Sequence, residues 1–497
     1  MIKHILYISA LTATVFSMTS CLSDDGNYDY TPIRDITISG LSDSVRCVLQ
    51  EPQTLKPEIE TDIPESNLEY CWRLGADTLA MTKDFNYTFT NVPTSSDPLT
   101  FDILDKTTNV RYSKTINLKV VSPFTTGWAV LLNDGGKSKL DFQSLEGSSR
   151  LYDDVYGSVN GEQFSGTPVS VKQLVYNDGF TGKRTDRISV LMKGGKSPEL
   201  DGVSMLRKKY YADEFHSTPV PEFAYISAEN YKSDYALNII TTDGTIYGKA
   251  VGQMGSPDDG YYEYPYRADD KGYKVAPYVG SVSGQGVAIA LDEANHRFVH
   301  WSPSTLSSKV SGIVFNEEES VKDADLESVP GTAVWIGNKE YNYDGNVYAV
   351  VNNDGKYYLY QLFFGYSNTA RDFIYALKGK AEIPDGVVGN NSVFAIHPDT
   401  PYLFVGTGSS LKAINLTSLN EMSQAVNDLT TFDGDIKGMT FSRDNTVLPN
   451  LDFSIAVSKG GQSSILIVDP TLTSKGKILK RYDGIKGDIV SFCRKLM

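Results

Sequence analysis

Four histidines follow the first twenty residues, and two of them, His296 and His300, stand four apart. On a helix that spacing sets two imidazoles on one face, the arrangement of a metal site. Here the pair lies in HRFVHW, in the return arm of an alternating hairpin. Four residues of strand rise about 13 Å, too far for both rings to share one ion. No metal site is expected there. His397, in AIHPDTPYLFVGTG, precedes a strand and is expected to cap or pack; His216, in DEFHSTPVPEF, reads as a loop residue. The Gly-x-Ser-x-Gly elbow, the P-loop and the dinucleotide fingerprint are absent. Carboxylates are abundant, but no spacing marks two of them as a glycosidase pair. No catalytic residue and no cofactor is assigned.

Aromatic chemistry is richer. The chain holds 31 tyrosines, and several crowd into DDGYYEYPYRADDKGYKVAPY, residues 258–278. Tyrosine offers a rigid face and a polar tip at low entropic cost, which suits a carbohydrate or peptide surface. Tyr261, Tyr262, Tyr264, Tyr266, Arg267 and Tyr273 are therefore the candidate ligand-binding residues. Their alternative role is to cover the edges of sheets. Asp258, Asp259, Asp269 and Asp270 accompany them without EF-hand spacing, so no metal ligands are assigned. A second tyrosine cluster, EYNYDGNVY at 340–348, stands near Trp335.

The formal charge of the 497-residue chain is −15. Such a balance argues against nucleic acid, whose phosphates demand clustered lysine and arginine. It argues equally against electrostatic adhesion to an anionic membrane. Besides Cys21 there are Cys47, Cys71 and Cys493, an odd number without metal spacing. Cys47 and Cys71 are read either as a disulfide or as buried free thiols.

These residues must be positioned by strands, because helical periodicity is nearly absent; SLNEMSQAVNDL at 418–429 is the best exception. Residues 35–123 show short alternating runs (ITISGL, TLKPEIET, LEYCWRL, NYTFTNV, LTFDILD, SKTINLKVVSP), the pattern of an Ig-like sandwich with Trp72 in its core. From Gly127 the rhythm changes. Seven stretches, beginning at residues 127, 187, 236, 286, 347, 402 and 453, each join an apolar run to a second β-prone run through a Gly, Asp or Asn turn. That is a hairpin signature, since such turns supply positive φ. A spacing of roughly 50 residues per hairpin is that of propeller blades. The fold expected is all-β: a sandwich over 35–123, then a seven- or eight-bladed β-propeller over 124–497. A large sandwich or β-helix is the alternative. The run GDIVSFCRKL (487–496) is expected to pair with the strand at Trp128 and close the ring. No tryptophan-aspartate or sialidase box supports the blades; Gly-Gly pairs in three hairpins echo kelch repeats without their aromatic spacing.

Residues 1–20 read as a signal peptide: Lys3, then the apolar stretch ILYISALTATVF, then Thr19 and Ser20 ahead of Cys21. The stretch is shorter than the roughly 20 apolar residues of a membrane span. SMTSC resembles a bacterial lipobox, with Met18 in place of the more usual leucine. The resemblance implies cleavage before Cys21, a diacylglyceryl thioether on its thiol and an acylated amino terminus. Several chains anchor stably where one is marginal, each methylene contributing about 0.8 kcal/mol. Residues 21–34 would then be an acidic tether.

The lipobox, GNYDYTPIRDITISG (26–40), LEYCWRL and SPFTTGWAVLLNDGGKSKLDF (122–142) together resemble the PKD-like family lipoproteins of Bacteroidetes. That resemblance implies a PKD/Ig-like module before a large β domain, and company with TonB-dependent transporters and their surface lipoproteins. It also implies that Ser23, Asp24 and Asp25 resemble the signal sending lipoproteins to the outer face of the outer membrane. It supplies no catalytic residues. The expected function is a surface-exposed, lipid-anchored, non-catalytic accessory in nutrient uptake, with a glycan or peptide ligand and a transporter partner. A propeller glycosidase or lyase and a purely structural transporter subunit are the alternatives.

Overall fold

The computed structural model describes residues 33–496 except 94–95, 147–148, 178–183, 217–218, 232–233, 252–259, 283–284, 304–307, 323–324, 326, 340–343 and 444–450. The chain forms two compact units, Met1–Val121 and Ser122–Met497. Among the described residues no helix is long and apolar enough to cross a membrane. The expected Cys21, Ser23, Asp24 and Asp25 lie outside the described residues.

The first unit is all-β. A five-stranded sheet runs in the order Ser44–Val48, Val110–Val121, Leu99–Asp105, Leu68–Leu74, Asp77–Ala80, with two short ladders beside it. Alternation in LEYCWRL turns Tyr70 and Trp72 inward. Trp72 is fully buried, 5.0 Å from Phe85 and 4.5 Å from Phe101 between ring centroids, and its indole N–H donates to the Thr82 carbonyl at 3.1 Å. Cys47 and Cys71 are free thiols; Cys47 is buried in this core and Cys71 lies beside Thr78. The strand Ser44–Val48 has no counterpart in the expected set, because its polar residues blur the alternation; its parallel pairing with Val110–Val121 positions it.

The second unit holds seven consecutive antiparallel-dominated sheets among its described residues. Each of the seven expected hairpins supplies the second and third strands of one sheet, from Gly127–Asp134 and Lys137–Ser144 in sheet 1 to Asp452–Lys459 and Gln462–Val468 in sheet 7. Their apolar runs are continuous because both faces are buried, as in any sheet covered on two sides. In WAVLL, Ala129 and Leu131 pack with Val171 and Ile188 of sheet 2, whereas Trp128, Val130 and Leu132 pack with Ala456, Ile465 and Ile467 of sheet 7. The other adjacent sheets meet through equivalent clusters. The last strand, Asp488–Lys495, pairs with Gly127–Asp134 as expected, setting Arg494 opposite Trp128.

Residues 418–429 depart from the helical expectation. A 3-10 turn at Leu419–Glu421 and a four-residue helix, Met422–Ala425, give way to the strand Val426–Thr431. Val426 and Asn427 pair there with Ile414 and Ala413, and the ladder overrides the helical pattern.

Candidate functional site

The expected tyrosine surface divides into core and surface. Among the described residues sheet 3 has three strands, Phe223–Tyr231, Asp234–Thr241 and Ile246–Val251, and Pro265 and Tyr266 run beside the last of them before Arg267–Ala268 joins sheet 4. Tyr266 N–H donates to the Ile246 carbonyl at 2.8 Å, and bridges join Tyr247 to Pro265 and Phe215 to Tyr262. The segment thus packs beside this sheet, and its aromatic rings cover the edge. Tyr262 is fully buried and stacked on Phe215 at 4.9 Å; Tyr266 is buried, and the half-buried Tyr273 donates its hydroxyl to the Tyr266 carbonyl at 2.8 Å. At Gly248 a Cβ would stand 1.8 Å from the Tyr266 hydroxyl, so only glycine lets that ring cross the strand. As ligand contacts, Tyr262 and Tyr266 are therefore corrected to edge-covering core residues. Tyr261, Tyr264 and Arg267 remain exposed, with Tyr261 against His216 at 4.2 Å.

Beneath Tyr262 lies a buried ionic network that holds sheets 2 and 3 together. Lys249 reaches Glu214 at 2.5 Å, Lys209 reaches Glu214 at 2.7 Å, and Arg187 reaches Glu199 at 3.3 Å. The Tyr211 hydroxyl donates to Glu199 at 3.0 Å. Burial pushes the Glu199 carboxyl up, against the pull of Lys209 and Arg187. These charges are paired with one another inside the protein, which suits a structural tie, although Glu214 Oε2 and the Tyr262 hydroxyl make no hydrogen bond there among the described residues.

A different aromatic surface emerges on sheet 5. Its two outer strands, Lys356–Ser367 and Asp372–Ile383, are each twelve residues long. The register sets Leu362 opposite Leu377, Phe364 opposite Tyr375 and Tyr366 opposite Phe373. Opposed residues in a ladder share a face, as do residues two apart along one strand, so all six lie on one face. Leu362 and Leu377 are buried in the core between sheets 4 and 5, and Phe364 and Tyr375 pack against its margin. Tyr366 and Phe373 continue the strip into solvent, 55% and 48% exposed. The rings are mutually braced: Phe364 stacks on Tyr375 at 4.5 Å and on Phe373 at 5.9 Å, and Tyr366 meets Phe373 edge-on at 5.7 Å.

Residues 315–321 fix the base of this strip. Asn316 N–H donates to the Tyr375 carbonyl at 2.7 Å and Val321 N–H to the Leu377 carbonyl at 2.9 Å. His300, on the strand Arg297–Trp301, lies 4.8 Å from the Tyr375 ring, and burial holds its imidazole below the ordinary histidine range. His296 occupies the preceding turn at positive φ. Polar groups flank the rings. Glu319 accepts from Lys378 at 2.9 Å and from the Ser367 hydroxyl at 2.9 Å. Next to Phe315 opens a cleft of about 560 Å³ containing Val314, 85% exposed, and the Arg297–Asp269 pair. Arg297 grips Asp269 through two bonds of 2.8 Å, which hold that carboxyl well below the usual range.

Asp269 is locked by Arg297. Asp141, pushed up to about 6 by burial, is fully enclosed and accepts the Asp154 N–H at 2.9 Å. His397 caps its own turn, its Nδ1 accepting from Asp399 and Thr400 N–H groups at 3.1 Å each. What the sheet 5 hairpin can do is stack: flat apolar rings, with hydrogen-bonding groups at their margin, face solvent.

Residues 21–168 match the PKD-like family. The PKD-like match runs through the whole described first unit and the sheet 1 hairpin, ending where sheet 2 begins. No curated protein matches the chain. Among solved structures, a quinonprotein alcohol dehydrogenase-like protein from Bacteroides thetaiotaomicron aligns over 93% of this chain and 99% of its own, at 11% identity and a TM-score of 0.47. The Cps50 (Swd1) β-propeller domain of Myceliophteria thermophila aligns over 66% and 89%, at 10% identity and a TM-score of 0.40. Dihydro-heme d1 dehydrogenase NirN aligns over 75% of each chain, at 10% identity and a TM-score of 0.39. The described residues are dominated by β-sheets, and residues 21–168 are similar to the PKD-like family.

Proposed function

We propose that the protein is a lipid-anchored, non-catalytic glycan-binding accessory at the outer face of the outer membrane. The observation that carries the binding role is the braced aromatic strip Phe364, Tyr366, Phe373 and Tyr375, half of it in solvent although sheet 5 already has its full set of strands. Sugar rings present C–H faces to such platforms and hydroxyls to their polar margins, here Ser367, Glu319 and Lys378. The second unit is read as a closed seven-bladed propeller, supported by the seven sheets, the pairing of the last strand with the first hairpin and the sheet 7–sheet 1 core. Anchoring is supported by Cys21 in its lipobox, and the outward facing by Ser23, Asp24 and Asp25. A TonB-dependent transporter is the partner this reading expects.

The test combines location with binding. Wild type is expected in the outer-membrane fraction, accessible to protease on intact cells, and Cys21→Ala in the soluble fraction; an alanine variant that still fractionates with the membrane overturns the anchoring. In native gels cast with laminarin, xyloglucan or yeast mannan, wild type is expected to be retarded by at least one. Unretarded migration in a broad neutral-glycan panel, with retardation by peptide matrices instead, overturns the glycan reading.

A further inference from the structure

A second cleft, remote in sequence from the aromatic strip, lies between sheets 6 and 7. It has a volume of about 360 Å³, at the lower end of what holds a small ligand. Its floor is Phe432, Val457 and Leu466, all buried, and its rim carries Lys475, Lys477 and Arg481. This is a cationic rim on a chain whose formal charge is −15.

The cleft lining carries one acid, Asp433, and three bases, and Lys477 also interacts electrostatically with the nearby Asp469. Arg481 is held by Asp483 at 2.5 Å, and Asp433 by Lys459 at 2.5 Å. Lys475 and Lys477 are in no ion pair among the described residues, and both are exposed. The turn that carries them is built into the fold. Gly476, buried between the two lysines at φ +69°, lies so close to Thr430 that a Cβ would stand 2.6 Å from its methyl group. The Asp469 N–H donates to the Lys477 carbonyl at 2.9 Å, and the Lys477 N–H to the Ser474 carbonyl at 3.2 Å. Backbone bonds and a forced glycine thus fix the turn that sets Lys475 and Lys477 in the lining of a cleft with an apolar floor.

We propose that this cleft binds an anionic saccharide unit, one that carries a carboxylate or sulfate on a ring with an apolar face. The two lysines meet the charge, and the apolar floor at Phe432 underlies the ring. A point-charge ammonium suits either anion, so carboxylate and sulfate share the site chemistry. The proposal stands independently of the aromatic strip.

The full-length protein is titrated by calorimetry at low salt with glucuronate, glucose 6-sulfate, glucose and sodium sulfate. Binding of glucuronate or glucose 6-sulfate is expected, whichever is tighter naming the anion, with glucose weaker by about ten-fold or more. Lys475→Gln with Lys477→Gln is expected to abolish the difference between charged and neutral sugar, with unchanged thermal unfolding. Raising the salt to 0.3 M is expected to weaken wild type several-fold. Tyr366→Ala with Phe373→Ala is expected to leave this binding intact, so the two sites fail separately. Equal affinity of wild type and the double glutamine variant overturns the proposal. So does no binding of either charged sugar, or sulfate binding as tightly as the sugars, which means an adventitious anion only.

Discussion

Two tyrosine-rich segments of the second unit, residues 260–273 and the hairpin Lys356–Ser367 with Asp372–Ile383, hold much the same chemistry and put it to opposite uses. Among the described residues sheet 3 has three strands, and Tyr262 and Tyr266 of the first segment pack beside them as core. Sheet 5 has four, two of them twelve residues long, spanning about 40 Å where a six-residue strand spans about 20 Å. Its core ends near Leu362 and Leu377, and the same face continues into solvent as Tyr366 and Phe373. On the proposed reading, aromatic residues mark a ligand surface where the strands that carry them outrun the core they have to cover.

The sharpest way to break this contrast is to truncate one ring from each segment. Tyr262→Ala removes a stacked ring that is fully buried. Its expected cost is about 3–5 kcal/mol in urea unfolding. Tyr366→Ala should stay within about 0.5 kcal/mol of wild type in the same measurement, as exposed substitutions do. Comparable losses at both positions would show that the strip is structural too.

Gly248→Ala sharpens the same point from the backbone side. The added methyl meets the Tyr266 hydroxyl, and a destabilisation of about 1–3 kcal/mol is expected. Replacing Tyr266 by leucine in that background should recover part of it; strict additivity of the two changes would contradict the close approach.

A smaller effect is expected from pH. Burial holds His300 below its unfolded value near 6.5. Below that value the unfolded chain binds more protons than the native one, so the His300 contribution is present at neutral pH and lost as pH falls toward 5. His300→Phe should flatten this part of the stability profile between pH 7 and 5. An unchanged slope would show that the base of the strip does not depend on a neutral imidazole.

The middle strands were legible in the chain because both of their faces are buried and their turns need glycine, as WAVLLNDGGK and FSIAVSKGGQ show. First strands such as Gly280–Val282 were not, being three residues long with no alternation to read. The role of Tyr262 was hidden because a tyrosine that stacks on Phe215 and one that stacks on a sugar are the same residue; only its burial in the fold separates them. The strip did leave a signal in LFFGYS and DFIYAL, aromatic residues at i and i+2 on both arms of one hairpin. Its meaning depends on where the core stops, which comes from sheet 4 and not from the hairpin itself.

The central claim is that the exposed sheet 5 strip, and not the tyrosine segment of sheet 3, contacts the ligand. It is tested by native gels containing the retarding polysaccharide, run with wild type, Tyr366→Ala/Phe373→Ala and Tyr261→Ala/Tyr264→Ala, all checked for equal unfolding midpoints. The account predicts that the sheet 5 pair loses retardation by about ten-fold or more while the sheet 3 pair migrates as wild type. Retention by the sheet 5 pair together with loss in the sheet 3 pair would contradict it.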